Sequence, residues 1–320
     1  MIVKTLILLL VGYRINAQNL ELPVGTDYTS IQIRATHHDI KFQESAMSKI
    51  VIVGVKDKAL WNFRREDGGV MVMEERNYEE KIFSNISEGG KEKIVIRVPS
   101  IPLQVMGTGL DLSFESLKNS VKVIVFKGSV KGFKTQGEMR IFLNVGEVSF
   151  DAHMAPLFLN GSQVKLAVKN SNSDLKSTVY SGSINLEKSA GHESIFSYQG
   201  NVTLNQITGS SQIELSKGVL SIVQSQGRHD IVTDDVGVDL KATKDSDFNV
   251  KMKNGKLSYA SSGVGGIWLN LNSKEADIYL PAPLRPVKVK SEIFYKGRTS
   301  GEKSSSRLEV KSVNAPIIVR

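Results

Sequence analysis

Between residues 94 and 240 the chain repeats every 18 residues without an insertion, and each repeat sets two side chains two positions apart at the same place. The pairs are Ile94 with Ile96, Leu112 with Phe114, Val130 with Gly132, Val148 with Phe150, Leu166 with Val168, Ile184 with Leu186, Val202 with Leu204, Leu220 with Ile222, and Val238 with Leu240. Seventeen of these eighteen positions are apolar and the exception is a glycine. A spacing of two is the strand period, and a fixed longer period marks units stacked on one another. The register therefore predicts an all-β fold: a right-handed parallel β-solenoid (β-helix) with about 18 residues per coil.

A finer nine-residue rhythm runs inside each unit. Gly128, Gly137 and Gly146 fall in frame, and so do Gly182, Gly191, Gly200, Gly209, Gly218 and Gly227. Glycine at such positions suits a tight corner or a close backbone approach, so each block reads as one corner and one strand. Two blocks make a coil. The second strand carries its own inward pairs, Leu103 with Val105, Val121 with Val123, Met139 with Ile141, and Leu157 with Leu159. Outward positions such as Ser183, Asn185, Asn201, Thr203, Ser210 and Gln212 are polar, as the alternation of a half-buried strand requires.

The flanks depart from this register. Residues 1–17 read as a signal peptide, with Lys4 ahead of the apolar run Leu6 to Gly12 and the small residue Ala17 at the expected cut. Residues 18–93 read as a β-rich N-terminal cap, 94–275 as the solenoid and 276–320 as C-terminal capping strands, since an open solenoid end would expose apolar core and unpaired strand edge. Past Leu240 the register slips by one at Leu257 and Tyr259.

Composition narrows the chemistry. The chain has no cysteine, which removes disulfides, thiol catalysis and thiolate metal sites. Export without cysteine suits a periplasm, an outer surface or the extracellular space, and the apolar run is too short for a transmembrane segment in the mature chain. Loss of Lys4 and Arg14 with the signal lowers the net charge from +8 to +6, an excess that favours anionic envelope polymers. Basic residues are not clustered with aromatics in the manner of a nucleic-acid interface.

The stretch Ile94-Val95-Ile96-Arg97-Val98-Pro99, followed by Lys127-Gly128-Ser129-Val130 and Gln136-Gly137-Glu138-Met139, resembles the bacterial putative-adhesin family of exported β-repeat proteins. The resemblance covers residues 30–320 and rests on repeat texture. It implies a single-stranded right-handed β-solenoid and supplies no catalytic residues.

One column of positions changes character in the later coils. Leu103, Val121, Met139, Leu157 and Leu175 give way to Glu193, Ser211, His229 and Asp247. With coils about 4.8 Å apart, Ser, His and Asp in that order have the chemistry of an activated hydroxyl. The same residues read equally as strand starts facing water, since Ile195, Ile213 and Ile231 stay apolar two places on. His37-His38-Asp39 offers metal-ligating types, but neighbours on a strand point to opposite faces. Asp234-Asp235 and Asp245 with Asp247 lack the glycine–aspartate corners of a calcium-binding nonapeptide roll.

No catalytic, cofactor-binding or metal-binding residue is assigned. The expected function is a non-enzymatic exported adhesin or cell-envelope scaffold, presenting a polar ladder to an envelope glycan or a surface protein. The alternative is a polysaccharide-acting β-helix enzyme, a lyase or hydrolase, although the uninterrupted register leaves no long loops to build its cleft. Leu204→Pro should cost about 3 kcal/mol or more, because it removes an interior ladder hydrogen bond, and Leu204→Asp should cost more by burying an unpaired charge. Denaturant midpoints followed by circular dichroism test this, and a helical spectrum would sink the solenoid itself.

Overall fold

The computed structural model describes residues 19–24, 28–66, 68–74, 91–261, 266–301 and 305–320. The expected signal peptide, residues 1–17, lies outside the described residues. Within them the fold is nearly all β, with one 3-10 turn at Lys58–Leu60. The strands form a single long sheet of mostly parallel pairings wound into a solenoid.

The middle of the rod follows the 18-residue register. Strands Val121–Phe133, Met139–Asp151, Leu157–Lys169 and Leu175–Glu187 are 13 residues each. They pair in parallel with Val121 opposite Met139, Met139 opposite Leu157 and Leu157 opposite Leu175. The winding continues through Ala190–Asn205 into a 54-residue run, Thr208–Ser261.

The glycine rhythm has a different geometry from the corner-per-glycine expectation. Each 13-residue strand bends at its middle without ending, and one residue per coil drops out of the pairing there: Phe126, Asn144, Ser162, Tyr180 and Tyr198. Gly128 sits at this bend, where an added Cβ would lie 1.8 Å from the Leu110 carbonyl oxygen, so close approach of successive coils excludes a side chain. The sharp turns fall on other residues. Lys134, Ala152, Asn170, Lys188, Gln206 and Gln224 all have φ between 49° and 56°. The amide of each of the first five donates to a carbonyl of the next coil at 2.9–3.0 Å, as in Lys134 N to Asp151 O, and this bond holds the unfavourable backbone in place. A short third side follows, hydrogen-bonded between coils through Met154 N to Thr135 O and Asn172 N to His153 O, both 3.0 Å. The coil is three-sided.

Near each end of the rod a strand is threaded one place inward. At the first end, Ser30–Thr36 lies between Gly69–Glu74 and Leu103–Thr108, and His38–Glu44 lies between Glu92–Val98 and Leu110–Glu115. The pairs Ile94/Ile96 and Leu112/Phe114 are therefore separated by Ile40 and Phe42, although their spacing is that of adjacent coils. At the other end Arg307–Val313 lies between the Asp247–Lys253 stretch and Trp268–Lys274. Antiparallel strands then cover the outermost edges: Trp61–Glu66 on Gly69–Glu74, and Glu292–Arg298 on Trp268–Lys274.

The core is one continuous apolar cluster along the rod. Its single glycine among the paired positions has a steric cause. An added Cβ on Gly132 would sit 2.2 Å from the ring of Phe150, which stacks one coil away, so Gly132 is the recess that accepts that ring. Gly132→Ala should cost about 1–3 kcal/mol by overpacking. In Gly132→Ala/Phe150→Leu the combined loss should be smaller than the sum of the two single losses, read from urea midpoints. Additive losses would rule out the proposed contact.

Candidate functional site

The polar column of the later coils points into the rod. Leu175 stands opposite Glu193 and Glu193 opposite Ser211. The Ser211 hydroxyl lies 2.8 Å from His229 Nδ1. Glu193, Ser211 and His229 are each at most 1% exposed, so they do not face water as the strand-start reading held. Asp247 is not in the column. One extra residue enters the coil between His229 and the next strand, and Phe248 takes the place, stacked on the His229 ring at 5.1 Å. The imidazole thus meets a phenyl ring where an activated hydroxyl would need a carboxylate, and His229 Nε2 has no hydrogen-bond partner.

Burial sets the protonation of this column. Both carboxyl oxygens of Glu193 lack a hydrogen-bond partner, and burial, reinforced by the charge of Asp174, pushes its pKa up to about 8. Burial likewise pulls His229 down to about 4. At neutral pH both groups are uncharged inside the stack. A second buried polar column occupies the third side, where the Thr135 hydroxyl and His153 Nδ1 are 2.7 Å apart and Ser171 Oγ donates to the His153 carbonyl at 2.9 Å. Neither column opens to a substrate.

The other residues singled out by sequence are dispersed. His37 is a turn residue with φ 58°, while His38 is fully buried with Nε2 3.0 Å from Glu74 Oε2. Glu74 also accepts from the Thr36 amide at 3.1 Å. Asp234 accepts from Asn254 Nδ2 at 3.0 Å, and Asp235 and Asp245 are positive-φ turn residues. Among the described residues no three His, Asp or Glu side chains gather closely enough to hold a metal ion.

The open chemistry lies on the outer face of the strands that begin at Leu103, Val121, Met139, Leu157, Leu175 and Ala190, on the side before the bend. Its outward positions form columns down the rod. One runs Gln104, Lys122, Arg140, Phe158, Lys176, Ser194, and the next Met106, Ile124, Phe142, Asn160, Thr178, Phe196. The bend supplies a third with Phe126, Asn144, Ser162, Tyr180 and Tyr198. Phe126 and Tyr180 are 61% and 58% exposed, and with Phe142, Phe196 and Tyr198 they gather large apolar side chains on this side of the rod. They stand three coils apart, about 14 Å, with the short side chains Asn144 and Ser162 between. An open groove of about 1060 Å³ runs here, lined also by Arg34, Met73, Met106, Ile124 and Phe142. Cations lie over several rings: Arg140 4.7 Å from the Phe158 centroid, Lys122 5.9 Å from Phe142, and Lys217 6.0 Å from Tyr198, which itself stacks on Tyr180 at 5.0 Å. The sequence held the signal for this face, aromatic residues at outward strand positions where the next coils carry Gln212, Glu214 and Ser216.

The profile of the family described as Toastrack DUF4097 matches residues 28–308. Among solved structures, a putative cell adhesion protein from Clostridium sporogenes ATCC 15579 is similar at 10% identity, covering 95% of this chain and 97% of its own, with a TM-score of 0.23. A putative lipid binding protein from Parabacteroides distasonis ATCC 8503 is similar at 13% identity over 75% of this chain and 92% of its own, with a TM-score of 0.29. At those scores neither likeness bears on a ligand. No curated protein matches the chain.

The buried column predicts a pH profile. Unfolding lowers the Glu193 pKa from about 8 to its ordinary 4.5, so the fold holds the extra proton between those values and loses stability as pH rises through them. Unfolding raises His229 from about 4 to 6.5, so its contribution is lost as pH falls from 6.5 towards 4. The two slopes cancel between about 4.5 and 6.5, and above 6.5 Glu193 alone acts, with a loss of about 2 kcal/mol by pH 8. Glu193→Gln should flatten that alkaline loss in urea titrations. A variant that declines as steeply as the parent would refute a neutral, buried Glu193.

Proposed function

The chain belongs to the Toastrack DUF4097 family, and from that premise we propose that it is a non-enzymatic exported β-solenoid, an adhesin or cell-envelope scaffold that holds a glycan along its outer face. The observation that carries this reading is the exposed aromatic column at the strand bend. Phe126 and the Tyr180–Tyr198 stack flank a polar stretch of Asn144 and Ser162 beside an open groove. A pyranose ring has an apolar C–H face and a rim of hydroxyls. Rings set among Asn and Ser side chains offer partners for both, and the interior stack keeps them at fixed spacing without an ordering cost on binding. The expected polar ladder of Ser183, Asn185, Asn201 and Thr203 lies on the other outer face, that of the half-strands after the bend. Export rests on the N-terminal sequence.

Binding is favoured over turnover by where the chemistry lies. The Ser211–His229 contact is sealed in the core, and the exposed face is built of aromatics, amides, hydroxyls and cations. A glycan array probed with residues 18–320 tests the proposal. Retention of one or more glycans without shortening, weakened tenfold or more in Phe126→Ala/Tyr180→Ala, is the expected result, since two aromatic platforms at about 1 kcal/mol or more each are removed. Retention of proteins alone, or release of shortened product, would overturn it.

A further inference from the structure

The two outer faces of the rod treat charge differently. On the face of the second half-strands, acids and bases alternate from coil to coil and satisfy one another: Lys165 lies 3.3 Å from Glu147 and Lys169 3.0 Å from Glu187. On the groove face the three outward columns between residues 104 and 198 contain Lys122, Arg140 and Lys176 and not one Asp or Glu. Lys122 and Arg140 are direct neighbours in register, one strand spacing of about 4.8 Å apart, a like-charge juxtaposition that disfavours the fold. Arg140 is relieved by Glu138 beside it and by the Phe158 ring. Lys122 and Lys176 are exposed with no carboxylate partner among the described residues.

Arg34 adds a fourth cation at the groove's end. It lies in register between Met73 and Met106, and its Nε is shielded from water without a hydrogen-bond partner. A guanidinium partly withdrawn from solvent, beside apolar methionines and with no acid paired to it among the described residues, is poised for an anion brought by something else.

We infer that the glycan held on this face is acidic, its carboxylate, sulfate or phosphate groups received by Arg34, Lys122, Arg140 and Lys176 while its rings pack on the neighbouring aromatics. The inference rests on the proposed glycan-binding face and adds the charge of the ligand. Cations at multiples of the coil spacing suit a polymer lying along the rod, which meets a new charge every one or two coils.

Isothermal titration of residues 18–320 with three oligosaccharides of matched length, a polyuronate, a sulfated glycan and a neutral glucan, tests this. The acidic probes should bind at least tenfold more tightly than the glucan, and raising NaCl from about 50 to 500 mM should remove most of that difference by screening. The exposed substitutions Lys122→Gln and Lys176→Gln should each weaken acidic binding about two- to fivefold, more than they weaken glucan binding, without lowering the thermal midpoint. The carboxylate and sulfate arms separate the sources of the anion. A glucan that binds as tightly as the acidic probes, or acidic binding unmoved in Lys122→Gln/Lys176→Gln, overturns the charge assignment while the glycan reading stands. Failure of all three probes, with glycans retained on no array either, overturns both.

Discussion

Everything in this rod depends on the backbone ladder between coils. Because strands pair in parallel at a fixed offset of 18, each side chain has the residue 18 before it below and the residue 18 after it above. A position thus belongs to a column before it belongs to a strand. Inside, a column shares one volume, so Phe150 needs the recess of Gly132. At the sharp turn, positive φ is tolerated on lysine, alanine, asparagine and glutamine because the interlocking amide bond to the next coil holds it there. Outside, the same rule concentrates one chemistry on one face, and aromatic and cationic residues that would be scattered in a globular domain line up.

The ladder creates a problem at each end, since a last coil has an unpaired edge. Both ends solve it alike. A strand from near each end of the sequence enters one place inward, paired on both sides, and a coil from nearer the middle of the sequence lies outside it under an antiparallel strand, while Leu20–Pro23 pairs on one side only. Sandwiched between two parallel neighbours, Ile31, Ile33, Leu308 and Val310 are fully buried.

Much of this was legible in the 18-residue pairs, because an inward column must be apolar in every coil. The threading was not, since Ile94 and Leu112 keep their spacing whether or not Ile40 lies between them. The slip that displaced Asp247 was half legible. Phe248, Val250 and Met252 alternate as an inward strand should, and that pattern outweighs an extrapolated register. The groove face was missed for a physical reason: inward positions answer to the core and follow a rule, whereas outward ones answer to whatever the protein meets. The aromatic residues at outward positions were visible, but only the register shows that they share a face.

The buried polar columns then have a reading that needs no substrate. An apolar column is indifferent to which aliphatic residue sits above which, and a solenoid built of such columns alone could pair its coils out of step. A hydrogen bond such as Thr135 to His153, or Ser211 to His229, forms at one offset. In any other, a buried hydroxyl or imidazole would lose its partner, at about 1–3 kcal/mol each. Glu193 departs from this pattern, with no side-chain partner on either neighbouring coil, and remains tolerable because it stays protonated at neutral pH. These columns act against misregistration of a repetitive sequence, and a register held that firmly inside is what keeps the cations and rings outside at fixed intervals.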